Sequence, residues 1–238
     1  MISERKIDIE DMSKMAKENP EAFTLARRNG FGASDSSIIL GVNHWQKLED
    51  LLVQKQSKVI TEEELAVGKK PQVRMGNDCE PIILDKFCEW SGFDISKPTA
   101  QYRLVDYPFL TVNYDGLGQK PHELVVEAKT VSQYARKYWK WENAMKDVTD
   151  YRRNVLSSSS NIKTIIEEQA EMIGIPPYYY TQIQQQLIGV QSEHAYLAAL
   201  DVKEWELRVF KVYQDERIQE ALVMKAAACA EQLGWDIS

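Results

Sequence analysis

The segment DGLGQKPHELVVEAK, residues 115–129, sets one carboxylate, Asp115, at the end of a strand-like run and a Glu-x-Lys triplet, Glu127 and Lys129, inside the next. Glu127 and Lys129 share parity, so on an extended strand both side chains point to one face, and Val126 and Ala128 point to the other. A hairpin that returns Asp115 towards Glu127 makes a small acidic pocket with an ammonium at its rim. Oxygen ligands for a hard cation, and a lysine to steady a water or a developing charge, are the minimum for magnesium-assisted phosphodiester cleavage. The competing reading is an edge strand with a solvated glutamate and lysine. Burying the pair among Leu124, Val125, Val126 and Ala128 is costly and needs a reason.

Outward from this hairpin, residues 100–106, 109–115 and 123–129 read as three strands, punctuated by Pro108 and by Gln119, Lys120, Pro121 and His122. Ahead of them, Met75–Trp90 is an amphipathic helix with Ile82, Ile83, Leu84, Phe87 and Trp90 along one face, ended by Gly92. Residues 8–29 read as helical, with Pro20 opening the second half and Gly30 at the stop. Gly32 permits a turn, and Ser34 or Asp35 caps a short helix carrying Ile38, Ile39 and Leu40. Residues 47–57 form a further short helix, and the polar stretch 58–71 an exposed loop. Residues 132–145 read as a helix bearing Tyr134, Tyr138, Trp139 and Trp141, followed by a mobile surface loop at 146–161 that ends in four serines. Helices at 162–174 and 178–192, an antiparallel strand pair at 194–202 and 205–212, and a helix at 215–233 complete the chain. There is no internal repeat. Helices before and after a central group of strands predict an α/β fold, a central mixed β-sheet flanked by helices, in one domain spanning residues 1–238.

Three further constellations carry chemistry. Glu80, in RMGNDCEPI, lies on the Met75–Trp90 helix four residues after Gly76, which permits close approach. It is a candidate metal ligand or holder of a metal-bound water, against a plain surface glutamate. In YYYTQIQQQLIG, Tyr179, Gln182 and Gln186 fall at helical spacing on one face, where neutral amides orient water without adding charge. In RRNGFGAS, an arginine, Arg27 or Arg28, precedes a glycine-permitted turn and Ser34 at a helix start, which suits a terminal phosphate or else is a solvated pair before an N-cap. Basic clusters at Lys69, Lys70 and Arg74, at Arg136, Lys137 and Lys140, and at Arg152 and Arg153 can follow a DNA backbone or form solvated faces. His44, His122 and His194 share no metal-binding spacing.

The net charge of -7 and pI of about 5.2 argue against a general nucleic-acid coat protein, yet allow an enzyme with a local basic groove. Cys79, Cys88 and Cys229 have neither zinc nor redox spacing and read as free thiols in a reducing cytoplasm. The N-terminus lacks the apolar run of a signal peptide, and no run of about 18 apolar residues spans a membrane.

Taken in chain order, Arg27-x-x-x-x-Gly32-Ala33-Ser34, Gly76-x-x-x-Glu80, Asp115-Gly116, Glu127-x-Lys129 and Tyr179-x-x-Gln182-x-Gln184 resemble the YqaJ-like viral recombinase family. That family includes the phage lambda exonuclease and belongs to the PD-(D/E)xK nuclease superfamily. The resemblance runs over residues 22–200 or so, and its specificity lies in the order of motifs that are weak singly. It implies a restriction-endonuclease-like core. It also implies 5′-to-3′ digestion of one strand of linear double-stranded DNA, with magnesium, to leave 3′ single-stranded overhangs for recombination. By the same resemblance the cofactor is a pair of magnesium ions, with manganese able to substitute. The assembly is a homotrimer ring, the partners are DNA ends and a phage single-strand annealing protein, and the location is the cytoplasm of a bacterial host. Asp115 matches a shared metal ligand, Glu127 the second carboxylate, Ala128 a carbonyl ligand, and Lys129 the lysine that positions the attacking water. Glu80 matches the helical glutamate near the second metal, and Gln182 the glutamine that completes the site. Ser34 and Arg27 match a pair that holds the 5′ phosphate, with Arg28 an adjacent competitor. Two departures stand out: Tyr114 replaces a frequent proline, and the stretch from Lys129 to Gln182 is long. The alternatives are a structure-specific or restriction-type endonuclease on the same core, and a non-catalytic DNA-end-binding module.

Overall fold

The computed structural model describes residues 18–118, 124–150, 157–190 and 192–237. The chain leads in through α1 (Pro20–Ala26), β1 (Phe31–Gly32), α2 (Ser36–Ile39), α3 (Leu48–Gln56) and α4 (Glu62–Ala66). It continues through the long α5 (Pro71–Ser91) into β2 (Ile95–Ser96), β3 (Tyr102–Arg103), β4 (Leu110–Val112), β5 (Gly116–Gly118) and β6 (Val125–Val131). The last third holds α6 (Ile162–Ile173), α7 (Pro177–Val190), β7 (His194–Asp201), β8 (Glu206–Tyr213) and α8 (Glu216–Gln232).

Two sheets result. β1, β4 and β3 form a small one, and β2, β5, β6, β7 and β8, in that order, form the larger one. β6 and β7 run parallel while the other pairs of the larger sheet are antiparallel, so the expected mixed sheet flanked by helices is present. A parallel pair needs a crossover, and α6 and α7 supply it between β6 and β7. β6 is therefore an interior strand, bonded on both sides, and the edge-strand reading of Glu127 and Lys129 falls away.

Alternate residues of β6 enter different cores, as a strand's period of two requires. Val125 and Val131 join Leu187, Leu197 and Phe210 on the side of α7. Val126 and Ala128 join Cys79, Ile83, Leu84 and Phe87 of α5 on the other. Pro71 opens α5 at a position that needs no intrahelical donor, and Gly92, at φ 73°, ends it in the left-handed conformation.

Several sequence expectations are corrected. The run 109–115 is not one strand: β4 ends at Val112 in the small sheet and β5 begins at Gly116 in the large one, so Asp115 sits at the passage between sheets. Residues 132–145 form no α-helix but two 3₁₀ turns, Arg136–Tyr138 and Trp141–Asn143. The reason is that Trp139 and Trp141 both pack on Phe210, at 5.6 and 6.3 Å between ring centroids. Residues two apart share a side only on extended backbone, and Trp139 has it, at φ -117° and ψ 138°. The expected loop 58–71 contains α4, which Thr61 and Glu64 open with a capping box. Of the expected helix 8–29 the described part begins at residue 18; it is broken at Asn19, which caps a helix opened by Pro20, and that helix gives way after Ala26 to a 3₁₀ turn, Arg27–Asn29. The turn at 119–122 and residues 151–156 of the expected loop 146–161 lie outside the described residues. Among the described residues no helix is long and apolar enough to cross a membrane.

Candidate active site

Asp115 folds back onto β6 as the sequence suggests: its Oδ2 accepts a hydrogen bond from the backbone N–H of Ala128 at 2.9 Å. Gly116 makes this approach possible. A Cβ there would lie 2.6 Å from Ile95 Cγ2 and 2.9 Å from Leu84 Cδ2, so the Asp-Gly pair serves close packing of β5 against β2 and α5. Tyr114, the departure from the family's frequent proline, has a job of its own. Its hydroxyl donates to the Gln186 carbonyl at 3.1 Å and sits against Gly189, where a Cβ would fall 2.3 Å from it. That contact seats α7 directly over the chain that leads into Asp115.

Glu127 is 1% exposed. Its Oε1 accepts from Lys129 Nζ and from Gln182 Nε2, and its Oε2 accepts from Gln186 Nε2 at 2.6 Å. Gln186 Nε2 also reaches the Asn113 carbonyl at 3.1 Å, which ties the carboxylate to the strand end before Asp115. Bonds to a charged group are each worth about 1.5–3 kcal/mol, yet they do not offset burial fully. Burial, and then the neighbouring charge of Asp115, push the Glu127 carboxyl up from 4.5 to about 7, against the opposing pull of Lys129 and Gln186. Lys129 shows the reverse outcome. Burial alone would lower it, but the charges of Glu127 and Asp115 outweigh that and hold it above its ordinary value, so it stays cationic. Its Nζ lies 5.4 Å from the ring centre of Tyr179.

These groups open onto a cleft of about 460 Å³. Gly76, Asn77 and Glu80 of α5 line it, with Ala128, Lys129 and Thr130 of β6, Tyr179 and Gln182 of α7, and Asp115. Glu127 lies just beneath its floor. The cleft thus gathers Asp115, Lys129, Glu80 and Gln182, as the sequence pattern requires. Gly76 is not forced by a tight protein contact, since an added Cβ would meet only Thr130 Oγ1 at 3.9 Å. Glu80 Oε1 pairs with Lys97 Nζ at 2.6 Å. Pro81 interrupts α5 one residue later. Proline carries no N–H, so the Asn77 carbonyl receives no helical bond from that position.

The donor set suits a hard divalent cation. Among the described residues no three acidic, histidine or cysteine side chains converge into a preformed cation site. Magnesium, however, keeps several waters and is commonly held by one or two carboxylates. Asp115 and Glu127 supply two, the Ala128 carbonyl and Gln182 amide are neutral oxygen donors, and Glu80 stands on the cleft wall.

The phosphate-binding candidates fall elsewhere. Arg28, 5% exposed, donates from Nη1 to the carbonyls of Ser57 (2.6 Å) and Val59 (3.0 Å) and from Nη2 to Glu64 (2.6 Å). It clamps the chain between α3 and α4. Arg27 is exposed, its guanidinium carbon 5.7 Å from the Phe23 ring centre, and Ser34 is exposed in the turn Ala33–Asp35. Neither lines the cleft. Asp35 is the cap of that turn, accepting from Gly32 N–H at 2.9 Å and pairing with Lys55 at 2.7 Å.

Gln185 and Gln186 are the site residues whose weight the sequence understates. Both are fully buried, and Gln185 Nε2 bridges the carbonyls of Phe31 (2.8 Å) and Thr111 (2.9 Å), binding β1 and β4 to α7. The available signal was the run Gln184–Gln185–Gln186 inside an otherwise apolar helix, since amides buried together must serve specific partners.

Comparisons with known proteins agree with this architecture. The protein named "Uncharacterized protein YqaJ" of Bacillus subtilis (strain 168) is 30% identical over 135 residues, which are 56% of this chain but only 40% of that relative's length. Among solved structures, an alkaline exonuclease (LHK-Exo) from Laribacter hongkongensis superposes with a TM-score of 0.56 at 12% identity, covering 90% of this chain and 92% of that one. The same enzyme in complex with dAMP gives 0.57 at the same identity and coverage. At such identity the likeness speaks for the fold. A model of the YqaJ-like viral recombinase domain matches residues 22–191, a span that runs from before Arg27 past Gln186. The chain belongs to the YqaJ-like viral recombinase domain family.

Proposed function

We propose that the protein is a magnesium-dependent deoxyribonuclease that digests one strand of linear double-stranded DNA from the 5′ end and leaves 3′ overhangs for phage-type recombination. The observation that carries this is the buried Glu127, bracketed by Lys129, Gln182 and Gln186 and set beside Asp115 at the floor of an open cleft. A structural strand has no use for so costly a group. The fold shared with an alkaline exonuclease adds support.

Asp115, Glu127 and the Ala128 carbonyl would hold one magnesium ion, and Glu80 with Gln182 would serve a second. A metal bound there would supply a lowered pKa for water and charge to offset that on the leaving oxygen. The chain's own residues do the remainder. The Ala128 N–H fixes Asp115. Gln186, anchored to Asn113, fixes Glu127. Lys129, kept protonated, positions the water at Nζ and steadies the negative charge that builds on the phosphate. The Lys97–Glu80 pair would open when a cation takes the Glu80 carboxylate or a phosphate takes the Lys97 ammonium. Arg27 and Ser34 grip the end phosphate, and because phosphate contacts carry no sequence information, any sequence is digested. In the same proposal the protein works as a homotrimer ring in the bacterial cytoplasm beside a single-strand annealing protein, and manganese replaces magnesium.

Gel analysis of linear and closed-circular duplex DNA, with magnesium and with EDTA, tests this. Linear DNA is expected to shorten only with magnesium while circles survive. Nicked circles would assign an endonuclease, and intact linear DNA a non-catalytic end-binding module.

A further inference from the structure

A row of aromatic rings leads out of the cleft. It starts at Tyr179, which walls the cleft beside Lys129. Tyr178 meets Tyr179 edge-on at 4.4 Å, and Trp45 meets Tyr178 edge-on at 4.9 Å. Burial pushes the Tyr178 phenol up, and the neighbouring phenols of Tyr179 and Tyr138 add to it. Trp45 is 72% exposed and Tyr138 59%.

A lone exposed tryptophan is ordinary, but a contiguous aromatic row at a cleft mouth is not. Trp45 is also held in place. Asn43 Oδ1 accepts from the N–H groups of Trp45 (2.8 Å) and Gln46 (2.9 Å), and Asn43 Nδ2 donates to the buried Ser37 hydroxyl at 3.0 Å. These bonds fix the backbone that carries the ring, which lowers the entropy lost when something stacks on it. A cation stands at the inner end of the row, Lys129 over Tyr179, and a second lysine, Lys137, has its Nζ 5.0 Å from the ring centre of the exposed Tyr138. Flat apolar faces interleaved with ammonium groups match one occupant, unpaired nucleobases on a phosphate backbone. Every base offers a π-face and every phosphate a charge.

We infer that the Trp45–Tyr178 ridge, continuous with Tyr179, is a stacking surface for the unpaired bases of a DNA strand at the mouth of the cleft. The inference rests on the nuclease reading for the strand's destination, but its test does not. Binding of a fluorescein-labelled oligothymidylate, and of an abasic strand of equal length, is measured by anisotropy in EDTA, where no cleavage occurs. The wild type is expected to favour the base-bearing strand about tenfold, and Trp45→Ala and Tyr178→Ala each to lose about tenfold of that affinity with the abasic strand unaffected. Trp45→Phe, which keeps a ring, should retain most of it. The inference is overturned if the wild type does not distinguish the two strands. It is equally overturned if both alanine variants bind the base-bearing strand within about twofold of the wild type. A Trp45→Ala variant with a changed sedimentation coefficient and intact oligonucleotide binding would make the ridge a contact between copies of the chain and also overturn it. Cleavage of linear duplex by the wild type is scored separately. Cleavage without a ridge effect removes the ridge alone, and a ridge effect without cleavage removes the nuclease alone.

Discussion

The two faces of β6 obey opposite rules. Towards α5, Val126 and Ala128 pack on Ile83, Leu84 and Phe87, where burial of apolar surface stabilises. Towards α7, Glu127 and Lys129 meet Gln182 and Gln186, where each group is costly alone and tolerable only through its partners. One strand of seven residues thus separates what the fold needs from what it merely endures. Substitutions of Glu127 and Lys129 should therefore remove activity and spare stability, and those of the apolar residues packed towards α5 should do the opposite.

The largest effect is expected at Lys129. Lys129→Ala should lower the rate of linear duplex digestion by about 10²–10³-fold or more, the scale of losing one charge-stabilising donor. The fold should survive, because Glu127 can take up a proton in place of the ammonium. Glu127→Gln sharpens the contrast: cleavage lost to a similar degree, with thermal stability at pH 8 equal to or above the wild type, since a buried charge is replaced by a neutral amide. A Glu127→Gln protein that melts far below the wild type would mean the charged network is structural.

On the opposite face, Phe87→Ala should cost about 3–5 kcal/mol of unfolding free energy through transfer and cavity terms, read by urea denaturation. The remaining folded molecules should cleave at nearly the wild-type rate. Arg28→Ala belongs with it despite the residue's charge. Removing the guanidinium strands Glu64 and two carbonyls, and breaking such a partly buried pair costs up to about 3 kcal/mol. If Phe87→Ala instead abolishes cleavage in protein shown to be folded, the division between the faces is wrong.

The proton on Glu127 gives a third, smaller effect. Its folded pKa, about 7, lies above the ordinary 4.5, so the metal-free protein binds this proton more tightly folded than unfolded. The associated stability is fully present below about pH 4.5 and is lost as pH rises towards 7. A cation requires the ionised carboxylate, so magnesium binding runs the other way. Its apparent affinity, measured by calorimetry, should rise about tenfold per pH unit up to about 7 and level off above. A flat profile between pH 5.5 and 8 would remove Glu127 from the ligand set. The Glu127→Gln protein, with no proton to displace, should show the flat profile itself.

The sequence carried more of the site than of the path into it. Glu127 and Lys129 were legible because strand parity is local, and Asp115 because a short turn must return it. The buried stripe of Met75–Trp90 at Ile83, Leu84 and Phe87 followed from helical period, whereas Ile82, expected on the same face, is exposed. Less legible were features fixed by distant contacts. The break between β4 and β5 depends on two sheets meeting at Asp115, which no local pattern encodes. Trp139 and Trp141 look helical until Phe210 is seen to need both. Gln186 was noted as part of a polar face, but its hold on Glu127 and Asn113 spans 59 and 73 residues of sequence separation. Thr61 and Glu64, by contrast, spelled out a helix start that the polarity of residues 58–71 obscured.

Arg27 and Arg28 repeat the contrast on a smaller scale, since neighbouring residues of one type face inward and outward. Arg28 has its guanidinium engaged by two carbonyls and Glu64, so it has little left to offer a ligand. Arg27 keeps its donors at the surface, in the turn that precedes Ser34. If this pair grips a DNA end, Arg27→Ala should reduce the preference for 5′-phosphate over 5′-hydroxyl ends by about three- to tenfold, the worth of one solvent-facing charged hydrogen bond. It should leave the denaturation midpoint in place, which separates it from Arg28→Ala. Digestion rates on matched linear duplexes that differ only in that phosphate give the ratio directly. An unchanged ratio in Arg27→Ala would leave Lys129 in the cleft, and Lys97 paired with Glu80 of its wall, as the groups that meet the end, and would place the register of the cut inside the site rather than at its approach.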